Sequence, residues 1–168
     1  EFLTDRLKYY MKEKNVRIDI IDASLKSFGI NQITKIYKKS FVFNKLINKE
    51  IGKNIISSYK RASNILENEL KNKELELSIN TDPALFKNDY EKKLYKKVHE
   101  LRKYFTSINK DEDYELTLGN LAESKQVIFD FFDNVKVNDE NKTIQKNRLE
   151  LIQMLCKTFD NYINFSII

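Results

Sequence analysis

One proline and three glycines in 168 residues leave a chain few places to turn sharply. β-Proteins are punctuated by such residues, so their scarcity here predicts an almost entirely helical fold. Apolar spacing agrees: Leu94, Val98, Leu101, Phe105 and Ile108 recur at steps of four and three, which makes a seam for helix packing. Leu149, Ile152, Cys156, Phe159 and Ile163 repeat that rhythm near the end of the chain, placing the lone Cys156 in a core stripe as an inert packing residue. The expected architecture is all-α, a single antiparallel bundle of about seven helices with one core, which a chain of this length can bury without disulfides or metal.

Periodicity and punctuation set the expected segments. Residues 3–14 and 17–28 read as two short helices, the second ended by Gly29 in a left-handed cap. A third runs from 31 to about 47, and Gly52 punctuates the start of a fourth that reaches about 72. Residues 73–81 form the least patterned stretch. Asp82 before Pro83 reads as the start of the long fifth helix, because an aspartate can cap free amides and proline tolerates the first helical position. A sixth helix covers about 113–133, bent near Gly119, with its start at Asp111-Glu112-Asp113 read as solvated acid and not as a metal site. The last runs from 141 to 164.

The formal charge of +5 is a weak sign of a polyanion partner, but its distribution says more. Residues 35–71 carry nine Lys or Arg against three Asp or Glu, residues 87–110 eight against three, and residues 111–140 two against nine. Such segregation can orient a nucleic acid on one side of a domain. Lysines are abundant in this Lys, Asn and Ile-rich chain, so the five arginines, Arg6, Arg17, Arg61, Arg102 and Arg148, are the first candidates for bidentate contacts. A lone Cys and a lone His supply no zinc set and no nucleophile with a base, and no Gly-rich phosphate loop is present, so a complete active site is not expected. No apolar run reaches membrane-spanning length and no signal-peptide pattern opens the chain, which suits a cytoplasmic protein without a membrane partner.

The fourth helix carries the clearest two-sided pattern. At 100° per residue Ile55, Tyr59, Ala62 and Leu66 share one side, and Lys53, Ser57, Lys60, Arg61, Asn64 and Asn68 the other. The cations suit phosphates and the amides suit base edges of single-stranded RNA, although an ordinary solvated face has the same composition. Arg61→Ala is expected to weaken RNA binding while leaving stability nearly unchanged. Tyr90, Tyr95 and Tyr104 lie among Lys92, Lys93, Lys96, Lys97, Arg102 and Lys103 and are candidates for base stacking. In the segment after the sixth helix, Phe132 and Val135 are expected inside; Asp133 and Asn134 suit backbone caps, or else Asn134, Lys136 and Asn138 face a nucleotide, and Arg148 is expected to tie the turn to the last helix through Asp133 or Asp130. The candidate RNA-binding residues are thus Lys53, Lys60, Arg61, Asn64, Arg102, Asn134 and Lys136, with Phe132, Asp133 and Arg148 structural or adjacent.

Spaced blocks in fixed order carry a further signal: Phe2-Leu3-Thr4-Asp5-Arg6-Leu7-Lys8-Tyr9-Tyr10, Arg17-Ile18-Asp19, Tyr59 to Leu66, Asp82-Pro83-Ala84-Leu85-Phe86, Phe131 to Val137, Asn147-Arg148-Leu149 and Asp160 to Ile168. Together they resemble the carboxy-terminal part of the bacterial glycyl-tRNA synthetase beta subunit, across essentially the whole chain and most weakly at 71–80 and 111–126. The resemblance implies an all-helical anticodon-binding domain of the kind shared with arginyl-tRNA synthetases, spanning 1–168 with 1–30 as leading helices and 31–168 as the core bundle, and forming a C-terminal piece of a longer chain. It implies glycine tRNA, the remaining beta-subunit domains and the alpha subunit as partners, with ATP and magnesium used at the alpha subunit and no cofactor in this piece. It assigns no residue-level contact. The terminal Phe165-Ser166-Ile167-Ile168 departs from the Pro-x-x-Met-like tail of arginyl enzymes, which favours the glycyl reading over an arginyl-type domain; a helical bundle that docks other protein domains is the alternative from a different class.

Overall fold

The computed structural model describes residues 2–71, 76–108 and 113–168, and among them the chain forms eight α-helices and no strand. They are α1 (Phe2–Glu13), α2 (Ile18–Phe28), α3 (Ile33–Leu46), α4 (Glu50–Leu70), α5 (Asp89–Ser107), α6 (Tyr114–Ala122), α7 (Lys125–Asn134) and α8 (Lys142–Phe159). α4 packs on α8, α6 and α7, while α5 closes the other side of the bundle against α7 and α8. One continuous core joins them, with Ile55, Leu94, Val98, Ile128, Phe131, Leu149, Ile152 and Phe159 at or near zero exposure. The all-α bundle expected from the spacing is present; the second seam is buried throughout, and the first is buried at Leu94, Val98 and Leu101 and only partly so at Phe105 and at Ile108, which lies past the end of α5.

Several boundaries differ, each for a local reason. Asp82 and Pro83 start only a single 3-10 turn, Pro83–Leu85, in which the Asp82 carboxylate accepts the Ala84 amide. α5 begins six residues later at a capping box: the Asn88 side chain accepts from Tyr90 and Glu91, and Glu91 accepts in return from the Asn88 amide. Two reciprocal caps satisfy more orphan amides than one aspartate can, which fixes the true start. The predicted sixth helix is divided into α6 and α7, with the break at Glu123 and Ser124 and not a bend at Gly119. The Ser124 hydroxyl donates to the Leu121 carbonyl, turning the chain where a long helix would otherwise continue. Asp113 caps α6 through the Leu116 amide, whereas Asp111 and Glu112 lie outside the described residues.

Two glycines serve distinct ends. Gly29 has φ 65° and ψ 163°, a positive φ as expected but not the left-handed helical cap. Gly52 lies inside the first turn of α4, where a Cβ would come within 2.4 Å of the Ile47 Cα and the Leu46 carbonyl oxygen. Its missing side chain lets α4 start hard against the end of α3. The α1–α2 turn is held from α3: Asn44 donates to the Asn15 carbonyl and accepts the Arg17 amide, both at 3.1 Å.

Candidate nucleic-acid interface

α4 is amphipathic in the sense the sequence predicts. Gly52, Ile55, Ser58, Tyr59 and Ala62 are buried, and Lys53, Lys60, Asn64 and Asn68 are exposed. Arg61 stands between the two faces. Its guanidinium lies 4.7 Å from the Phe129 ring and 5.4 Å from the Phe132 ring of α7, and its edge pairs with the Asp133 carboxylate. Lys125 completes this contact, 5.7 Å from Phe129 and donating at 2.9 Å to the Asn54 side chain of α4. Arg61 therefore packs α4 onto α7 as well as presenting charge, so its substitution carries a stability cost that the sequence pattern did not reveal. Lys60 donates to the main-chain oxygen of Ile168 at 3.2 Å and remains exposed.

The segment after α7 alternates as an extended run should: Val135 and Val137 are buried, Lys136 and Asn138 exposed. Asn134 is exposed and donates to the Asp130 carbonyl, a C-terminal cap. The inward anchor is Phe131, fully buried, whereas Phe132 is half-buried at the edge that meets Arg61. Asp133 reaches across to α4, so it does not serve as the backbone cap the sequence suggested.

Arg148 is buried among partners other than those foreseen. Its Nε donates to Glu91 Oε1 at 2.7 Å, and its Nη1 donates to Asp139 Oδ2 at 2.7 Å and to the Lys136 carbonyl at 2.9 Å. Glu91 is the hub of this arrangement, since its other oxygen takes the amides of Lys87 and Asn88. Beside it Asn147 brackets Asp82, accepting its amide at 2.7 Å and donating to its carbonyl at 3.0 Å, and Glu150 accepts from the Ser78 amide and hydroxyl. One face of α8 thus clamps residues 78–82, the start of α5 and the loop that carries Lys136. Sequence reasoning missed Glu91, Asp139 and Glu150; the only available signal was the spacing of Asn88 and Glu91, which reads as a capping box.

Arg102 turns toward α8, its Nη1 2.9 Å from the Met154 sulfur, and is not brought to the Arg61 edge by any contact. The outer face of α5 carries exposed Lys92, Lys96, His99 and Lys103. Tyr95 is half-buried, 4.1 Å from the His99 ring and 5.4 Å from Phe86; Tyr104 exchanges a hydrogen bond with Thr117; Tyr90 lies under Lys93. Partial desolvation, with Tyr95 against the otherwise exposed ring, and then the neighbouring Arg102 lower the His99 pKa, favouring its neutral form. The Cys156 thiol is buried and pushed up to about 12, mainly by that burial, which leaves it inert. Among the described residues no three metal-ligating side chains gather, and no helix is long and apolar enough to cross a membrane.

A helical bundle presenting cations and amides from one helix, with an aromatic-backed guanidinium at its edge, suits RNA. A model of the DALR anticodon binding domain matches residues 55–165, from the first buried isoleucine of α4 through α8. The chain belongs to the DALR anticodon binding domain family. It is similar to the glycine--tRNA ligase beta subunit of Rickettsia prowazekii (strain Madrid E), 32% identical over 164 residues that cover 98% of this chain and 23% of the relative. The corresponding subunit of Sulfurihydrogenibium sp. (strain YO3AOP1) is 33% identical over 166 residues, 99% of this chain and 24% of the relative, and that of Ruegeria sp. (strain TM1040) is 27% identical over 156 residues, 93% and 23%. The DALR chain therefore spans about a quarter of the length of the curated relatives it matches. Its similarity to the Rickettsia and Sulfurihydrogenibium subunits, covering 98% and 99% of the chain, extends over α1–α3, which precede the part matched by the family.

Proposed function

We propose that this DALR domain binds the anticodon arm of glycine tRNA within a longer glycine--tRNA ligase beta subunit in the cytoplasm, and so positions the acceptor end at an active site elsewhere. The observation that supports it most is the match of α4 to α8 with an anticodon-binding family, together with relatives named as glycine--tRNA ligase beta subunits along nearly all of this chain. Glycine activation, with its ATP and magnesium, belongs in this reading to the alpha subunit. The domain supplies geometry and no reacting group, because a tRNA held at two places reaches a productive arrangement more often. Within it Lys53, Lys60 and Asn64 on α4 and Asn134 and Lys136 at the end of α7 and after it offer exposed donors.

A second role is compatible with the first. Phe2, Leu3, Tyr9, Tyr10, Ile18 and Ile33 are exposed along α1, α2 and the start of α3, an apolar grouping that suits contact with another domain of the same long chain. It supports the docking reading for these helices alone, since the basic face of α4 lacks such residues.

Anisotropy titrations of a labelled glycine tRNA transcript, and of one with altered anticodon bases, test the proposal. Discrimination against the altered tRNA is expected, and substitution of Lys53 and Lys60 together by glutamine should reduce the salt slope by about 2. Equal affinity for the two transcripts overturns the role in anticodon recognition.

A further inference from the structure

The pairing of Arg61 with Asp133 is placed where a structural ion pair has little reason to be. Asp133 lies in the last turn of α7, where the carbonyl end of the helix carries partial negative charge and a carboxylate is unfavourable. No basic residue occupies that turn to offset it. Asp133 is 60% exposed, against 31% for Arg61, so the bond between them is open to water on the carboxylate's side. The two ends of the pair are thus held very differently. Phe129 and Phe132 lie against the guanidinium, at 4.7 and 5.4 Å, while the carboxylate is held by one of its amino groups.

An arginine whose face is occupied by aromatic rings and whose edge meets an exposed carboxylate is prepared for exchange of one oxyanion for another. Phosphate and carboxylate present similar acceptors to the guanidinium fork. Exposed Lys60, Asn64, Asn134 and Lys136 lie on the two chain segments that meet at this point, within one helical turn of Arg61 or three residues of Asp133 in sequence. We infer that Asp133 occupies on Arg61 the place of an RNA phosphate, and that binding of the anticodon arm displaces the carboxylate and seats a phosphodiester on the aromatic-backed guanidinium. The inference rests on the reading of this chain as an anticodon-arm binder and adds to it a defined phosphate site with a built-in competitor. The competitor keeps Arg61 ordered when RNA is absent and weakens its attraction for other anions.

Binding of a glycine tRNA anticodon stem-loop and of a uridine oligonucleotide tests this with a set of variants. Asp133→Asn should tighten stem-loop binding about two- to fivefold, the range corresponding to an exposed pair. Asp130→Asn, one turn earlier on α7, relieves general repulsion without releasing Arg61 and should give a smaller gain. Arg61→Gln should weaken binding and abolish the difference between the two aspartate variants. Asp133→Ser, checked alongside by circular dichroism, guards against a local effect of the asparagine. An Asp133→Asn gain no larger than that of Asp130→Asn, or a loss of affinity, overturns the inference while leaving anticodon discrimination as separate support for the function. Retained gains with both RNAs but no anticodon discrimination uphold the phosphate site and overturn the anticodon reading, and a protein that binds neither RNA overturns both.

Discussion

Arg148 and Arg61 are both held by carboxylates, yet they stand at opposite ends of what an ion pair can do. Arg148 is sealed: its side chain is 6% exposed, Glu91 is 0% exposed, and the remaining acceptors are Asp139 and a main-chain carbonyl. Arg148 and Glu91 have lost water and regained partners, with Asp139, 30% exposed, at the rim, so the cluster locks α8 to the start of α5 and to the loop beyond α7. Arg61 is open on one side, and its carboxylate has given up little solvent. A sealed pair fixes a structure; an open pair keeps a cation in position while leaving it exchangeable.

The widest separation between the two is in stability. Arg148→Ala leaves Glu91 buried without its charge partner and should cost about 3 to 5 kcal/mol, or prevent folding. Urea unfolding measures this, and RNA affinity per folded molecule should remain close to that of the parent chain. A loss below about 1 kcal/mol would place Arg148 with the open pairs and remove the contrast.

Arg61→Ala should cost less, about 1 to 2 kcal/mol, from two cation–π contacts, the aliphatic stem and a partly exposed pair. Thermal and urea unfolding would both register it. This replaces the expectation from helical periodicity that the residue acts on RNA alone. Unchanged stability would return Arg61 to the purely presented face.

How these residues read in the sequence follows from the range of their contacts. Helices, seams and the two faces of α4 depend on spacing within one helix, and they were legible because a 3.6-residue period is a local property. Arg148 was expected to tie the turn to the last helix, but Glu91 is 57 residues away and Asp139 lies across a loop, so no periodicity points from one to the other. Arg61 and Asp133 are 72 residues apart and meet only because α4 packs on α7. Asp82-Pro83 misled for a related reason: its capping chemistry is real, but Asn147 on α8 holds Asp82 in a turn and leaves the helix to begin at the stronger box. Anticodon binding as a function came from the ordered blocks, since lysine-rich helical faces alone do not distinguish RNA from solvent.

Acid sharpens the comparison through Asp139. The Asn141 amide first, then Arg148, hold its carboxyl below the ordinary 3.8. A lowered acid contributes stability above its unfolded value, and that stability is lost as pH falls through the lower folded value. Asp160 runs the other way: burial, the largest influence, raises its carboxyl, so its contribution is present below 3.8 and is lost as pH rises through the higher folded value. Unfolding curves between about pH 2 and pH 7 should therefore show a flatter acid limb for Asp139→Asn than for the parent chain. An equally steep limb would show that the sealed cluster does not draw on the charge of Asp139.

The smallest expected effect belongs to Asp133→Asn in the absence of RNA. Losing an exposed pair with Arg61 costs about 0.2 to 1 kcal/mol, and removing a carboxylate from the last turn of a helix returns about 0.3 to 1 kcal/mol. The two nearly cancel, so stability should stay within about 0.5 kcal/mol of the parent, where surface substitutions ordinarily fall. Paired with Arg148→Ala, this gives the comparison its full span, since two carboxylate–arginine contacts of similar length would differ several-fold in what their loss does to the fold. A destabilisation of about 2 kcal/mol or more would mean that Asp133 locks α7 to α4 much as Glu91 locks α5 to α8. The open pair would then be structural, and a phosphate could displace the carboxylate only at the expense of the helix packing that supports the site.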